Sequence, residues 1–200
     1  MKWAEFAMKV QSISKIGKLF TNDPYAQENY EELESLSLEM LNQSVLSEPT
    51  DQNLFVRDIY PTPNVSVRTF VFNEQNQVLL VQEKVGEEWS LPGGWCDVYE
   101  SAASNAMKEV FQESGLTVSI DSVLAVFFRD KYKKLKKTLI SEYAIYFKGS
   151  IISGELRPNH ETIAVGFFDL DALPKLSHKN SFEEFSRALK AYESGKIEFD

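Results

Sequence analysis

Apolar side chains recur at Trp3, Phe6, Ala7, Val10, Ile13, Ile16 (or Gly17) and Phe20, the spacing of one face of a helix. Asp23 then offers an N-cap oxygen and Pro24 suits a first helical position. A second helix is expected behind them, with Tyr30, Leu33, Leu36, Leu38, Met40 and Leu41 on its apolar side and Glu28, Glu31 and Glu32 near its start. The first 46 residues therefore read as a helical hairpin. Two helices cannot bury both stripes on each other, so the hairpin is expected to pack on the rest of the chain or on a second subunit.

Beyond a polar, proline-bearing stretch the period changes. Residues 47–64 read as linker and lead-in, and 65–200 as the main domain. Strands are expected at 65–72, 77–83, 117–128, 139–148 and 163–169. A loop rich in Gly, Pro and Trp fills 86–98. Residues 101–114 read as a helix stopped by Gly115, and a capping-box-like Asn180-Ser181-Phe182-Glu183 opens a last helix reaching about residue 194. The fold class is mixed α/β (α+β), preceded by the small helical hairpin.

Composition narrows the function classes. Of 200 residues, 43% are hydrophobic, enough for a core, and the net charge of -9 opposes general nucleic-acid binding. A small anionic substrate stays open to an acidic protein if a bound divalent cation inverts the local field. The single cysteine, Cys96, excludes an internal disulfide. The N-terminus has no apolar signal-peptide core and no stretch is long enough to span a membrane, so a cytoplasmic protein is expected.

The stretch 93–116 carries the chemistry. On a helix, Glu109 and Glu113 lie about 40° apart around the axis and Gln112 about 60° to the other side of Glu109. Ala103, Ala106 and Val110 form an adjoining face of small residues that can sit close to a sheet. Two crowded carboxylates repel unless a cation neutralises them, and Mg²⁺ prefers such oxygen ligands. An isolated Glu-x-x-x-Glu pair is more often a solvated acidic face; the residues around this one change that balance.

Gly94, Glu100, Lys108, Glu109, Val110, Gln112, Glu113, Gly115 and Leu116 resemble the Nudix box at seven of nine defined positions, Lys108 replacing Arg and Gln112 replacing Glu. Tyr60-Pro61-Thr62-Pro63, Trp89-Ser90-Leu91-Pro92-Gly93-Gly94-Trp95 and the helical N-terminus are similar to a Nudix subgroup that acts on nucleoside diphosphates linked to a moiety X, of CDP-choline or ADP-ribose type. The resemblance implies an α/β/α sandwich and Mg²⁺-dependent (or Mn²⁺-dependent) hydrolysis of a phosphoanhydride. Water would be activated by a carboxylate or on the metal, giving a nucleoside monophosphate and phosphorylated X.

By the same resemblance Glu109 and Glu113 are the main metal ligands. Gln112 is a neutral substitute for a third carboxylate, the Gly93 carbonyl is a further ligand, and Glu100 either touches the metal site or braces the loop against Lys108. Glu161 is the candidate base or extra ligand. Arg68 and Arg129, on expected strands, are candidates to reach phosphate. Trp89, Trp95 and Tyr99 either stack a base or pack under the loop, and Lys131–Lys137 reads as a solvated basic loop. A homodimer is expected from the unpaired stripes. The second reading is a catalytically weakened nucleotide-binding or regulatory module, because Gln112 and Lys108 depart from the box.

Overall fold

The computed structural model describes residues 3–44, 63–132 and 142–200. Most of the 47–64 linker, Tyr60-Pro61-Thr62 and most of the Lys131–Lys137 run lie outside the described residues. The chain divides into two compact units, Met1–Pro61 and Thr62–Asp200, each with its own logic.

In the first unit, α1 (Trp3–Phe20) and α2 (Pro24–Ser44) form the expected hairpin. Asp23 Oδ1 accepts the Tyr25 amide at 2.9 Å, as an N-cap should. The seam takes Ala7 and Leu41 from the expected stripes and adds polar residues. Its buried residues are Ala7, Gln11, Ser14, Ser37 and Leu41. Lys15 and Lys18 reach Glu34 at 3.3 and 3.2 Å, and the Tyr30 ring fills the space a Cβ on Gly17 would need. Small residues let the helices approach closely, which leaves the bulky ones outside. Trp3, Phe6, Ile13, Ile16 and Phe20 of α1, and Leu33 and Leu36 of α2, are exposed.

The second unit contains β1 (Asn64–Val71), β2 (Val78–Glu83), β3 (Trp89–Ser90), α3 (Ala102–Ser114), β4 (Leu116–Phe128), β5 (Glu142–Gly154), β6 (Thr162–Phe168), α4 (Phe182–Ser194) and β7 (Glu198–Phe199). One sheet runs β1-β5-β4-β7, with β1 parallel to β5 and β5 antiparallel to β4; the other runs β3-β2-β6, all antiparallel. Side chains alternate across a strand. On β2, Val78 and Leu80 join Phe70 and the α4 residues Phe185, Ala188 and Ala191, while Leu79 joins Val110 of α3 with Val71, Leu116 and Val118. Helices α3 and α4 thus cover opposite faces, the α/β/α sandwich expected.

Three details differ from the sequence reading. Strand β5 continues to Gly154, but its last residues are exposed and owe their place to backbone pairing with Leu116–Ser119, which leaves no alternating apolar signal. The two-residue strands β3 and β7 are too short to carry a pattern. Arg129 does not lie on a strand: it opens a 3₁₀ turn, Arg129–Lys131. Among the described residues, no helix is long and apolar enough to cross a membrane.

Candidate active site

Helix α3 starts where Ser101 Oγ accepts the Ser104 amide, and it stops at Gly115, whose φ of 79° suits glycine. Its buried face comprises Asn105, Ala106, Val110, Glu113 and Ser114. A carboxylate on that face is not a solvated charge: Glu113 is only 3% exposed.

The loop before α3 lies along β1. The Val67 and Thr69 amides donate to the Gly94 and Pro92 carbonyls at 2.9 and 3.0 Å, and the Cys96 amide donates to Val65 at 2.9 Å. This course requires two glycines. A Cβ on Gly93 would strike the Val67 carbonyl, and one on Gly94 would stand 2.5 Å from Glu109 Oε1. Their absence lets both carboxylates close on the loop. The Gly93 amide donates to Glu113 Oε2 at 2.8 Å. Because β1 takes the carbonyls on either side of Gly93, alternation turns the Gly93 carbonyl away from β1.

The pair is short of positive charge. Burial, and then the neighbouring Glu113, push the Glu109 carboxyl up to about 7; Glu161 adds to the rise while Lys179 and Lys108 oppose it. Burial also raises Glu113, against the pull of Lys179, the Gly93 amide and Arg68. Lys179 Nζ is 3.3 Å from Glu113 Oε1. Two carboxylates against the glycine turn form an oxygen donor set with excess negative charge, which fits a hard divalent cation. Among the described residues, no group of three or more His, Cys, Asp or Glu side chains is arranged to hold a metal. A cation here would therefore use two carboxylates with carbonyl, amide, water or substrate oxygens.

The structure brings Glu109, Glu113 and Gly93 together and sets Glu161 within electrostatic reach of Glu109. Glu161 is exposed, 3.4 Å from His160, on a turn held by Asn159 Oδ1, while Thr162 Oγ donates to the Glu113 carbonyl. Gln112 is exposed. Glu100 is exposed and accepts from Ser104 Oγ at 3.1 Å. Lys108 makes its 2.5 Å ion pair with Asp97 and feels Glu100 through space. Trp95 and Tyr99 stand exposed on the loop, while Trp89 packs edge-on to Phe168.

Neither Arg68 nor Arg129 hydrogen-bonds the carboxylate pair, although Arg68 acts on Glu113 through space. Arg129 is enclosed: it bonds Glu184 at 2.9 Å, Glu142 at 3.1 Å, and the His178 and Lys179 carbonyls at 3.1 and 2.8 Å. Arg68, also buried, donates to Val67 O at 2.5 Å and Lys179 O at 3.5 Å. Both tie down the segment before α4. Lys179, on that segment, is the site residue that sequence reasoning missed. It carries no motif and sits 66 positions from Glu113; the nearest sequence signal is the capping motif that follows it.

A family model described as NUDIX domain matches residues 62–189, and one described as UDP-X-like, N-terminal oligomerisation domain matches residues 1–51. The chain is 37% identical over 187 residues to YjhB of Bacillus subtilis (strain 168), provisionally named an ADP-ribose pyrophosphatase, covering 90% of this chain and 86% of that protein. It is similar to the crystal structure of an ADP-ribose pyrophosphatase from Streptococcus suis 89-1591, with a TM-score of 0.61 and 39% identity over 70% of this chain and all of that one. It is also similar to the crystal structure of a UDP-X diphosphatase, with a TM-score of 0.67 and 28% identity, covering both chains in full.

Proposed function

The chain belongs to the Nudix family as a pyrophosphohydrolase, and from that premise we propose that it hydrolyses the phosphoanhydride of a nucleoside diphosphate linked to X, releasing a nucleoside monophosphate and phosphorylated X. ADP-ribose and UDP-linked compounds are the first substrates to try, since relatives along most or all of the chain carry those names; CDP-choline follows. The observation that carries the reading is the under-neutralised Glu109–Glu113 pair against the Gly93-Gly94 turn.

Glu109, Glu113 and the Gly93 carbonyl would hold Mg²⁺, or Mn²⁺ in its place, with Gln112 as a neutral oxygen at the rim. The bound cation supplies neutralisation of the diphosphate charge. Glu113 is fixed by the Gly93 amide, so its second oxygen keeps one direction. Glu161 accepts the proton of the attacking water, its exposure leaving it free to approach a bound diphosphate. Arg129 does not need to touch phosphate, because its donors are committed to Glu142, Glu184 and the His178 and Lys179 carbonyls; Arg68, bonded to Val67 and Lys179 through Nη1 and Nε, stays the candidate to reach phosphate. The exposed stripe of α1 and α2 supports a homodimer, as does the match of residues 1–51; a monomer by light scattering at micromolar concentration would remove that part.

The test is a panel of ADP-ribose, UDP-sugars, CDP-choline and dinucleoside polyphosphates incubated with Mg²⁺ or Mn²⁺ and resolved by chromatography. Monophosphate products that disappear in Glu113→Gln are expected. Metal binding without product from any compound would favour the weakened binding module instead.

A further inference from the structure

One ammonium in this unit faces two carboxylates. Lys179 Nζ lies 3.3 Å from Glu113 Oε1 and 3.7 Å from Glu83 Oε1. Glu83 sits at the end of β2 and is itself a prepared seat: the Ser90 and Ser177 hydroxyls donate to Oε1 at 2.9 and 3.3 Å. The lysine backbone is held by several bonds that do not involve Glu113. Arg129 holds the His178 and Lys179 carbonyls, the Lys179 amide donates to Ser177 Oγ at 3.1 Å, and Asn180 Oδ1 accepts the Leu91 amide at 2.9 Å. Only the flexible side chain can move, and it has two anionic stations within reach.

We propose that Lys179 is a placeholder cation, which neutralises Glu113 while the site is empty and withdraws to Glu83 when a divalent cation takes Glu113. The inference rests on the cation site assigned to Glu109 and Glu113 above. A buried carboxylate left uncompensated is costly, so the resting site needs some positive charge. A fixed charge would also repel the arriving cation; a charge with a second station does not, because Glu83 compensates it after the move. The 0.4 Å difference in distance already places Nζ between the two stations. Lys179 thus acts through Glu113 as a positioning residue, and it sets how tightly metal binds without being a ligand.

The geometry makes two substitutions act in opposite directions, which a merely structural role would not do. Lys179→Gln removes the competitor and should tighten Mn²⁺ binding at least about fivefold, whereas Glu83→Gln removes the second station, confines the ammonium to Glu113 and should weaken it at least about threefold. Lys179→Arg keeps the charge and should stay within about twofold of wild type. In the double variant Lys179→Gln/Glu83→Gln the Glu83 effect should vanish, since no ammonium remains to park. The measurement is Mn²⁺ titration of the full chain by electron paramagnetic resonance, with melting in EDTA to verify folding of each variant. Unchanged or weaker Mn²⁺ binding in Lys179→Gln would overturn the proposal, as would an undiminished Glu83 effect in the double variant. If wild type and Glu113→Gln bound Mn²⁺ equally, the cation site itself would be wrong, a separate failure.

Discussion

The main domain buries charge in two places, and the two are built differently. Around Arg129 every charge is answered: Glu142 and Glu184 face one guanidinium, its remaining donors cap two carbonyls, Ser66 Oγ donates to Glu142 at 2.6 Å, and Glu184 closes the capping box of α4. Around Glu113 the ion-paired ammonium of Lys179 is divided with Glu83, and the neighbouring Glu109 has no such pair among the described residues and is pushed up to about 7. A closed cluster of this kind holds elements together. An open one keeps an unmet demand for positive charge, and that demand is the capacity to bind. Burial and charge alone do not separate the two, since each sets two carboxylates around one nearby cation; the hydrogen bonds those carboxylates accept do.

The contrast can be broken from the closed side first. Arg129→Met removes the guanidinium that pairs with Glu142 and Glu184 in the interior and should destabilise the domain by about 3–5 kcal/mol in urea unfolding. A loss under about 1 kcal/mol would mean that the cluster is not as closed as its hydrogen bonds suggest. Glu113→Gln, on the open side, should leave stability nearly intact yet cut turnover by about a hundredfold or more, beyond what even the outer partners of metal ligands cost.

A third test concerns pH. Glu109 titrates near 7 when folded and near 4.5 in the unfolded chain. Between those values the folded state keeps a proton that the unfolded state has released, so metal-free stability should fall as pH rises from about 4.5 to about 7 and then level off. Glu109→Gln should flatten that slope and raise metal-free stability at pH 8 by about 1–3 kcal/mol while removing activity. Equal slopes in EDTA for wild type and variant would contradict the assignment. The smallest effect is sought at Gln112. Gln112→Glu supplies the carboxylate missing from the box and should raise activity several-fold at low Mg²⁺; no change would mean that this exposed position does not face the cation.

The same comparison explains what could be read from the chain. Helix α3, with its Ser101 and Gly115 caps, and the glycine turn were legible because both are local: caps, spacing and conformational need lie within 25 residues. Glu109 and Glu113 were legible for the same reason. Arg129 was misplaced because its role depends on Glu142, Glu184 and two carbonyls near residue 179, contacts that only the tertiary fold makes. Lys179 went unseen on the same ground. In the hairpin, the spacing of Trp3 to Phe20 gave the helix but only part of the face used, since beside Ala7 and Leu41 the seam is made of Gln11, Ser14 and Ser37, which carry no hydrophobic signal.

The most direct test of the open site is the melting temperature at pH 8 in EDTA and in saturating Mg²⁺, for wild type and for Glu113→Gln. An open cluster predicts that Mg²⁺ raises the wild-type midpoint by several degrees, since a ligand bound only to the folded state stabilises it, and leaves the variant unmoved. A wild-type midpoint indifferent to Mg²⁺ and Mn²⁺ alike would contradict it.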